Sequence, residues 1–528
     1  MTTSNYVMNM AWVFLGVNWL IEGRLRQKVQ TLRRSPLFLV YFTLIMLHVV
    51  WLISGGNIAY GLDDLRRKLP LLVIPLVLLS SPAPTTRERR QLLTLYAGTV
   101  LVVSCISIAR LITQPNLEYR QLVPYISHIR FALNVCFVIV LLLVDMGRSL
   151  TQSTLSKFTP HQRAALIGKG VLVAWFIAFL LVLQSYTSIA VLTALLAVAT
   201  LVRWKQWHQS AILRIAICTA CAGVVILIGC IALFVHSYYT PIPLTQQPQP
   251  EFTAAGHPYT YAHDGLIESG NYINDYVCDE ELRSQWGKRS SLGMDDLTGN
   301  GYPVRPTLIR YLNAMGTTKD SVGMQQLTER DVAAIERGIA NPVYLRRFSL
   351  KRMVYVSLFE HESHKHQRAV KGFSMLQRFE LWKAALHVFE QHPWVGVGSS
   401  NTVDLCHQEL SRTQSELTNT SKHIHNQYLT LLISFGLLGC LILLVACLPL
   451  LRTWSRWTLL YTLHLTIVLV SCLSEDTLET LAGCCFVAVL SCLYAPTATP
   501  SISDHTTPTP QGKQPSCTTT TPCQTASE

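Results

Sequence analysis

Residues 422–451 read KHIHNQYLTLLISFGLLGCLILLVACLPLL, and no charged residue occurs between His425 and the end of that run. An apolar stretch of this length reads as a transmembrane helix, because only a helix satisfies its own backbone in lipid. Its mouth is chemically loaded: Lys422, His423, His425, Asn426 and Gln427 stand where the helix meets the membrane surface. Imidazole titrates near neutrality, and a positioned general base is worth about 10²–10⁴ in rate. Set beside an amide and a cation, His425 is therefore a general-base candidate. The plainer reading is that interfacial histidines anchor a helix end.

Outward from this stretch, the pattern repeats. Apolar segments near 6–21, 36–54, 69–81, 92–113, 131–147, 166–183, 187–202, 211–236, 457–473 and 480–494 predict, with 426–450, eleven spans. The third is short and holds Pro70 and Pro75, which points to a kink or a re-entrant turn. Only Gln184, Ser185 and Tyr186 separate the sixth from the seventh. The chain carries 14% charged residues in 528, against about 25% for soluble proteins. The fold class expected is an all-α polytopic membrane protein. Residues 1–237 form a first bundle of about eight helices, 238–425 a large, mainly helical outer segment, and 426–495 about three more helices. The Thr-, Ser- and Pro-rich tail 496–528 is expected to be disordered.

A net charge of +12 invites a nucleic-acid reading, but its distribution argues for a membrane and no nucleic acid. Connectors 22–36, 82–91, 148–169, 203–214 and 452–456 hold 17 Lys/Arg; the alternating connectors 55–68, 114–130, 184–186 and 474–479 hold 5. By the positive-inside rule the first set is cytoplasmic, so 238–425 lies outside. Arg24, Arg26 and Lys28 follow the first apolar run instead of preceding it, which predicts a retained helix and not a cleaved signal peptide.

The outer segment opens with an extended Pro/Gln-rich lead-in at 240–250. Helices are expected over 327–340 and 374–391, the latter with Met375, Phe379, Trp382, Leu386 and Phe389 at helical spacing. It stops at His392-Pro393, a flexible turn Gly396-Val397-Gly398 follows, and 399–421 is polar. Arg378 opens the second helix and suits an anionic head group, since guanidinium holds phosphate oxygens bidentately. Arg130, in Ser127-His128-Ile129-Arg130, has the same reading. So do Arg66, Arg67 and Lys68, an outer basic cluster that attraction to phosphate or snorkelling explains. Glu475, Asp476 and Glu479 form an acidic group between the last two spans, able to orient the imidazole or to pair with the arginines.

Weaker signals surround these. His361-Glu362-Ser363-His364 has one residue too few for the zinc motif that sets two histidines on one helical face. Cys218 and Cys221 lie within a span, as most of the fifteen cysteines do, and read as small apolar fillers. Cys278 and Cys406 lie outside, where a disulfide is permitted. His48 and His464 are intramembrane, functional candidates by default.

Several motifs together carry a resemblance. Arg378-Phe379-Glu380-Leu381-Trp382, His392-Pro393-Trp394-Val395-Gly396-Val397-Gly398, His425-Asn426-Gln427-Tyr428-Leu429 and Gly436-Leu437-Leu438-Gly439 resemble, in order and spacing, the O-antigen ligase/polymerase superfamily. Ser474-Glu475-Asp476-Thr477-Leu478-Glu479 and Thr307-Leu308-Ile309-Arg310-Tyr311-Leu312 are similar to its Bacteroidetes-type branch. The likeness is specific over about 370–494 and rests on topology elsewhere.

The resemblance implies a metal-independent, inverting membrane glycosyltransferase of GT-C-like fold, without cofactor. It implies a bacterial inner-membrane enzyme whose site faces the periplasm, taking a glycan from undecaprenyl diphosphate to a sugar hydroxyl of lipid A–core. His425 then corresponds to the general base and Arg378 to a diphosphate ligand, with Asn426, Glu475, Arg66 and Arg67 as further substrate contacts. A donor activated by its diphosphate needs no nucleotide site, and no P-loop or Rossmann glycine pattern is present. The chain departs from the family at Ser185-Tyr186-Thr187-Ser188, where many members have a Ser-Arg pair. Arg130, or alternatively Arg310, is the expected replacement. O-antigen ligase is the favoured reading and O-antigen polymerase, with a lipid-linked acceptor, the alternative. A transporter or flippase fits less well, because the candidate charges gather at one face and no internal repeat is seen.

Overall fold

The computed structural model describes residues 4–495, apart from 54–55, 115–118, 153–157, 203–210, 241–248, 263–264, 347, 367–373, 414, 416 and 418–422. The tail 496–528, most of the 240–250 lead-in and Lys422 lie outside the described residues.

Each expected apolar segment is helical. In chain order these are α1 (Asn5–Ile21), α2 (Leu25–Arg33), α3 (Pro36–Ile53), α4 (Ile58–Lys68), α5 (Pro70–Ser80), α6 (Thr86–Thr113), α7 (His128–Gln152), α8 (Pro160–Leu183), α9 (Tyr186–Val202) and α10 (Ala211–Tyr239). Beyond the inter-span segment come α18 (Gln427–Leu451), α19 (Leu459–Ser471) and α20 (Leu481–Tyr494). Among the described residues five of these are long and apolar enough to cross a membrane alone, α6, α7, α8, α10 and α18, or six if α2 and α3, bent by 95°, form one broken span. Helices α9, α19 and α20 are apolar but shorter. With 11 residues, α5 reaches about 16 Å at 1.5 Å per residue, half of the about 30 Å hydrocarbon core. It packs instead on α1, α3 and α20. The bundle core gathers Phe131, Phe137, Phe176, Tyr461 and Phe486, with α18 against α3 and α19 against α9. The chain is a mainly helical, multi-pass membrane protein.

The inter-span segment has its own core. A two-stranded antiparallel ribbon, β1 (Ile267–Glu268) with β2 (Asn271–Tyr272), leads to α11 (Asp279–Trp286), α12 (Val304–Met315), α13 (Ser321–Gln325) and α14 (Glu329–Glu336). Leu282, Trp286, Leu308, Tyr311, Leu312 and Ile335 bury together there. The helix expected over 327–340 is α14, started by a Thr328/Asp331 capping box and ended before Gly338 at φ +86°. Next come α15 (Leu350–Lys365), α16 (Ser374–Gln391) and α17 (Thr402–Arg412). Helix α16 has the bounds the periodicity predicted. Helix α17 fills the stretch read only as polar.

The Gly396–Gly398 turn is docked against α18. Helix α18 breaks at Gly436 (φ 63°, ψ −171°), and the turn docks into the break. Val397 and Gly398 N–H donate to the Ile433 and Ser434 carbonyls at 2.9 Å each, while Leu437 and Leu438 N–H donate to the Pro393 and Trp394 carbonyls at 2.8 and 3.0 Å. These four bonds replace those the helix loses, as a backbone at membrane depth requires. Glycine is needed on both sides: a Cβ on Gly436 would stand 2.5 Å from the Trp394 carbonyl, and one on Gly396 2.4 Å from that of Ile433.

Candidate active site

The loop 474–480 between α19 and α20 organises the site, each of its acids taking a different cation or donor. Gln427 clamps it to the start of α18, its Nε2 donating to Glu479 at 3.0 Å and its Oε1 accepting from Leu478 N–H at 2.7 Å.

Glu475, 4% exposed, holds three partners on one carboxylate. Arg378 Nη2 lies 2.5 Å from Oε1, Arg130 Nη2 3.7 Å from Oε2, and His425 Nδ1 3.6 Å from Oε2. Burial pushes this carboxyl up, but His425, Arg130 and Arg378 outweigh burial and hold it below the ordinary carboxylate range. Thus Glu475 both faces the imidazole and pairs with the arginines. Arg130 is further fixed by Nη2 donating to the Asp476 carbonyl at 2.8 Å and Nε to Thr480 Oγ1 at 3.1 Å. Its Nη1 is buried and has no partner among the described residues.

His425 sits in the left-handed region at φ 58°, uncommon for a residue with a side chain and costing of order 1–3 kcal/mol. Its N–H donates to Asp476 Oδ2 at 2.6 Å, while Thr430 Oγ1 donates to Oδ1 at 2.8 Å. Burial, then the neighbouring Glu479, pushes the Asp476 carboxyl up. The imidazole remains one third exposed. The neighbouring His423, by contrast, is pushed down by burial and lines a small polar pocket with Tyr60, Ser399, Thr402, Thr430 and Ser434.

Other sequence-derived candidates have different places. Asn426 is the N-cap of α18, its Oδ1 accepting from Tyr428 and Leu429 N–H; the side chain starts the helix. Arg310 is not with the group: it lies bidentate on buried Glu268 at 2.8 and 3.0 Å and stacks on Phe359. An arginine brought into that core requires a buried counter-charge, and Glu268 supplies it. Arg66 pairs with Asp63 at the surface, and Arg67 bridges toward Asp63 and Asp64. Lys68 neither snorkels nor joins a phosphate patch. Only 1% exposed, it bridges Asp64 at 2.6 Å and Glu479 at 2.5 Å. This buried triad was missed, although the i, i+4 spacing of Asp64 and Lys68 on α4 was a signal. At Ser185–Ser188, Thr187 bonds Ser474 at 3.0 Å, so that corner meets the acidic loop.

Cys278 and Cys406 are both free thiols, correcting the permitted disulfide. Cys406 packs against Ala385, Val388 and Ile433, whereas Cys278 is the residue that heads α11. His48 packs edge-on to Phe435 and His464 bonds Ser491, both within the bundle. On α15, Glu362 accepts from Tyr239 and pairs with Lys365.

Two cations and an imidazole thus surround one carboxylate, with one buried Arg130 N–H left over among the described residues and the imidazole one third exposed. Residues 332–444 match the family model described as O-Antigen ligase. That stretch, about a fifth of the chain, includes Arg378, His425 and the Gly436 break; Arg130 and Glu475 lie outside it. No curated protein matches the chain.

Proposed function

We propose, from the chain's membership of the O-antigen ligase/polymerase superfamily, that it is an O-antigen ligase of the bacterial inner membrane. It moves a glycan from undecaprenyl diphosphate to a sugar hydroxyl of lipid A–core on the periplasmic face, where 238–425 lies. The observation that carries this reading is the shared Glu475 carboxylate, which sets His425 and two arginines around one point.

His425 Nδ1 faces Glu475, which leaves Nε2 for the acceptor. Nε2 takes the hydroxyl proton as the acceptor oxygen bonds to the anomeric carbon. On the opposite side the bond from that carbon to the diphosphate oxygen breaks, inverting the centre and releasing undecaprenyl diphosphate. The leaving group's charge grows beside Arg378 and the unpartnered Arg130 Nη1, and pre-aimed donors at a developing charge are the strongest electrostatic aid to such a step. Glu475 keeps the imidazole oriented and stabilises it once protonated, as a carboxylate behind a catalytic histidine does.

The test is His425→Ala in the native host, following both lipopolysaccharide banding and the glycan on undecaprenyl diphosphate. Loss of long-chain lipopolysaccharide with full-length polymer building up on the carrier is expected. Single-repeat lipopolysaccharide with no polymer identifies a polymerase instead, and an unchanged pattern at normal protein level removes His425 from the chemistry.

A further inference from the structure

Cys278 has chemical neighbours other than Cys406. A tight turn in which Thr253 N–H donates to the His257 carbonyl at 2.7 Å, and a bridge between Thr260 and Val277, bring the inter-span entry stretch against the head of α11. One ligand atom each from His257, Cys278 and Glu281 then lies within 4.8 Å of the other two. We infer that His257, Cys278 and Glu281 form a structural zinc site that pins the entry stretch to α11, apart from the His425 chemistry.

The donor set selects the metal: thiolate with imidazole and one carboxylate suits Zn²⁺, whereas Ca²⁺ and Mg²⁺ take oxygen ligands. Glu281 is already aimed, its Oε1 accepting from Thr253 Oγ1 at 2.5 Å and its Oε2 from Ser321 N–H at 2.8 Å, the outer support that metal carboxylates have. Cys278 is held by its N–H donating to the Lys319 carbonyl at 2.8 Å. The ion takes the place of the proton between His257 Nδ1 and Glu281 Oε1, now 2.9 Å apart. That proton moves to Nε2, and the Cys278 thiol releases its own to solvent. A water completes four ligands, and Glu280, with Oε1 3.8 Å from His257 Nε2, stands beside the nitrogen that takes the proton. Tetrahedral zinc spaces its donors roughly 3.3–3.7 Å apart, so the His257–Glu281 pair, at 2.9 Å, opens slightly while separations of up to 4.8 Å close by about 1 Å, which the partly exposed His257 ring allows.

The experiment uses the full chain in detergent, stripped with chelator, loaded with Zn²⁺ and dialysed, with metal counted by mass spectrometry. One zinc per chain is expected, lost in His257→Ala and Cys278→Ser, kept in Cys406→Ser and His425→Ala, and bound about ten-fold or more weakly in Thr253→Ala. Should a ligand variant fail to fold, the wild-type chain still decides: zinc must slow alkylation of Cys278 and leave Cys406 unchanged. No retained zinc, or no selective protection of Cys278, overturns the site.

Discussion

Exchange of Glu475 for Gln keeps the shape of the candidate site and removes its shared charge. The carboxylate now faces Arg378 at 2.5 Å, Arg130 at 3.7 Å and His425 at 3.6 Å. Removing one partner of a buried ion pair costs about 3–5 kcal/mol. Here Arg130 keeps the Asp476 carbonyl and Thr480, and the glutamine oxygen still accepts from Arg378, so the lower end, about 3 kcal/mol, is expected without donor. A bound diphosphate supplies the missing anion, and at a hundred times Kd a ligand adds about 2.7 kcal/mol. The lipid diphosphate should therefore raise the Tm of Glu475→Gln more than that of the wild type. In turnover, His425 loses the group that orients it, and kcat falls by about 10²–10⁴. With their counter-charge gone, the two arginines leave the donor KM unchanged or lower. The assay is glycan transfer by the full chain in nanodiscs, with melting followed on the same samples. A raised KM with unchanged kcat would refute the reasoning, since Glu475 would then act on donor binding alone.

Lys68→Met takes the lysine cation from buried Glu479 and should cost about 3–5 kcal/mol, read as a fall in Tm; an undiminished Tm contradicts the triad. Burial, with Glu479 beside it, pushes the Asp64 carboxyl up to about 7 despite Lys68. A folded-state pKa raised above its ordinary value gives stability present at low pH and lost as pH rises, so wild-type Tm should decline between about pH 4 and 7 more steeply than that of Asp64→Asn. Gly436→Ala forces a Cβ to 2.5 Å from the Trp394 carbonyl at φ 63°. Backbone strain of about 1–3 kcal/mol, together with weakened bonds from the docked turn, should lower Tm sharply, whereas Gly98→Ala, which meets open space, should not. Cys278 and Cys406 should both alkylate after denaturation without reductant; a requirement for reductant would restore the disulfide.

The membrane class and the helical places were legible because hydropathy is a local property, summed along some twenty consecutive residues. The bounds of α16 were legible for a similar reason, periodicity ending at a proline. His425, Arg378 and Glu475 could be singled out as residue types at one face, but their joint geometry could not. Arg378 meets Glu475 across 97 positions and Lys68 meets Glu479 across 411, and no local pattern encodes such pairings. For the same reason the sequence does not separate Arg310 from Arg130, and only the fold sets Glu268 against Arg310. The Gly436 break was hidden because an apolar run containing glycine reads as continuous helix. Only the docking of a second backbone, the 393–398 turn, supplies the four hydrogen bonds across the break. By itself the sequence determined which segments leave water and which chemical groups wait at their ends. Tertiary structure decided which of those groups share a charge, because in a buried site each ion is stable only beside the partner that the fold brings to it.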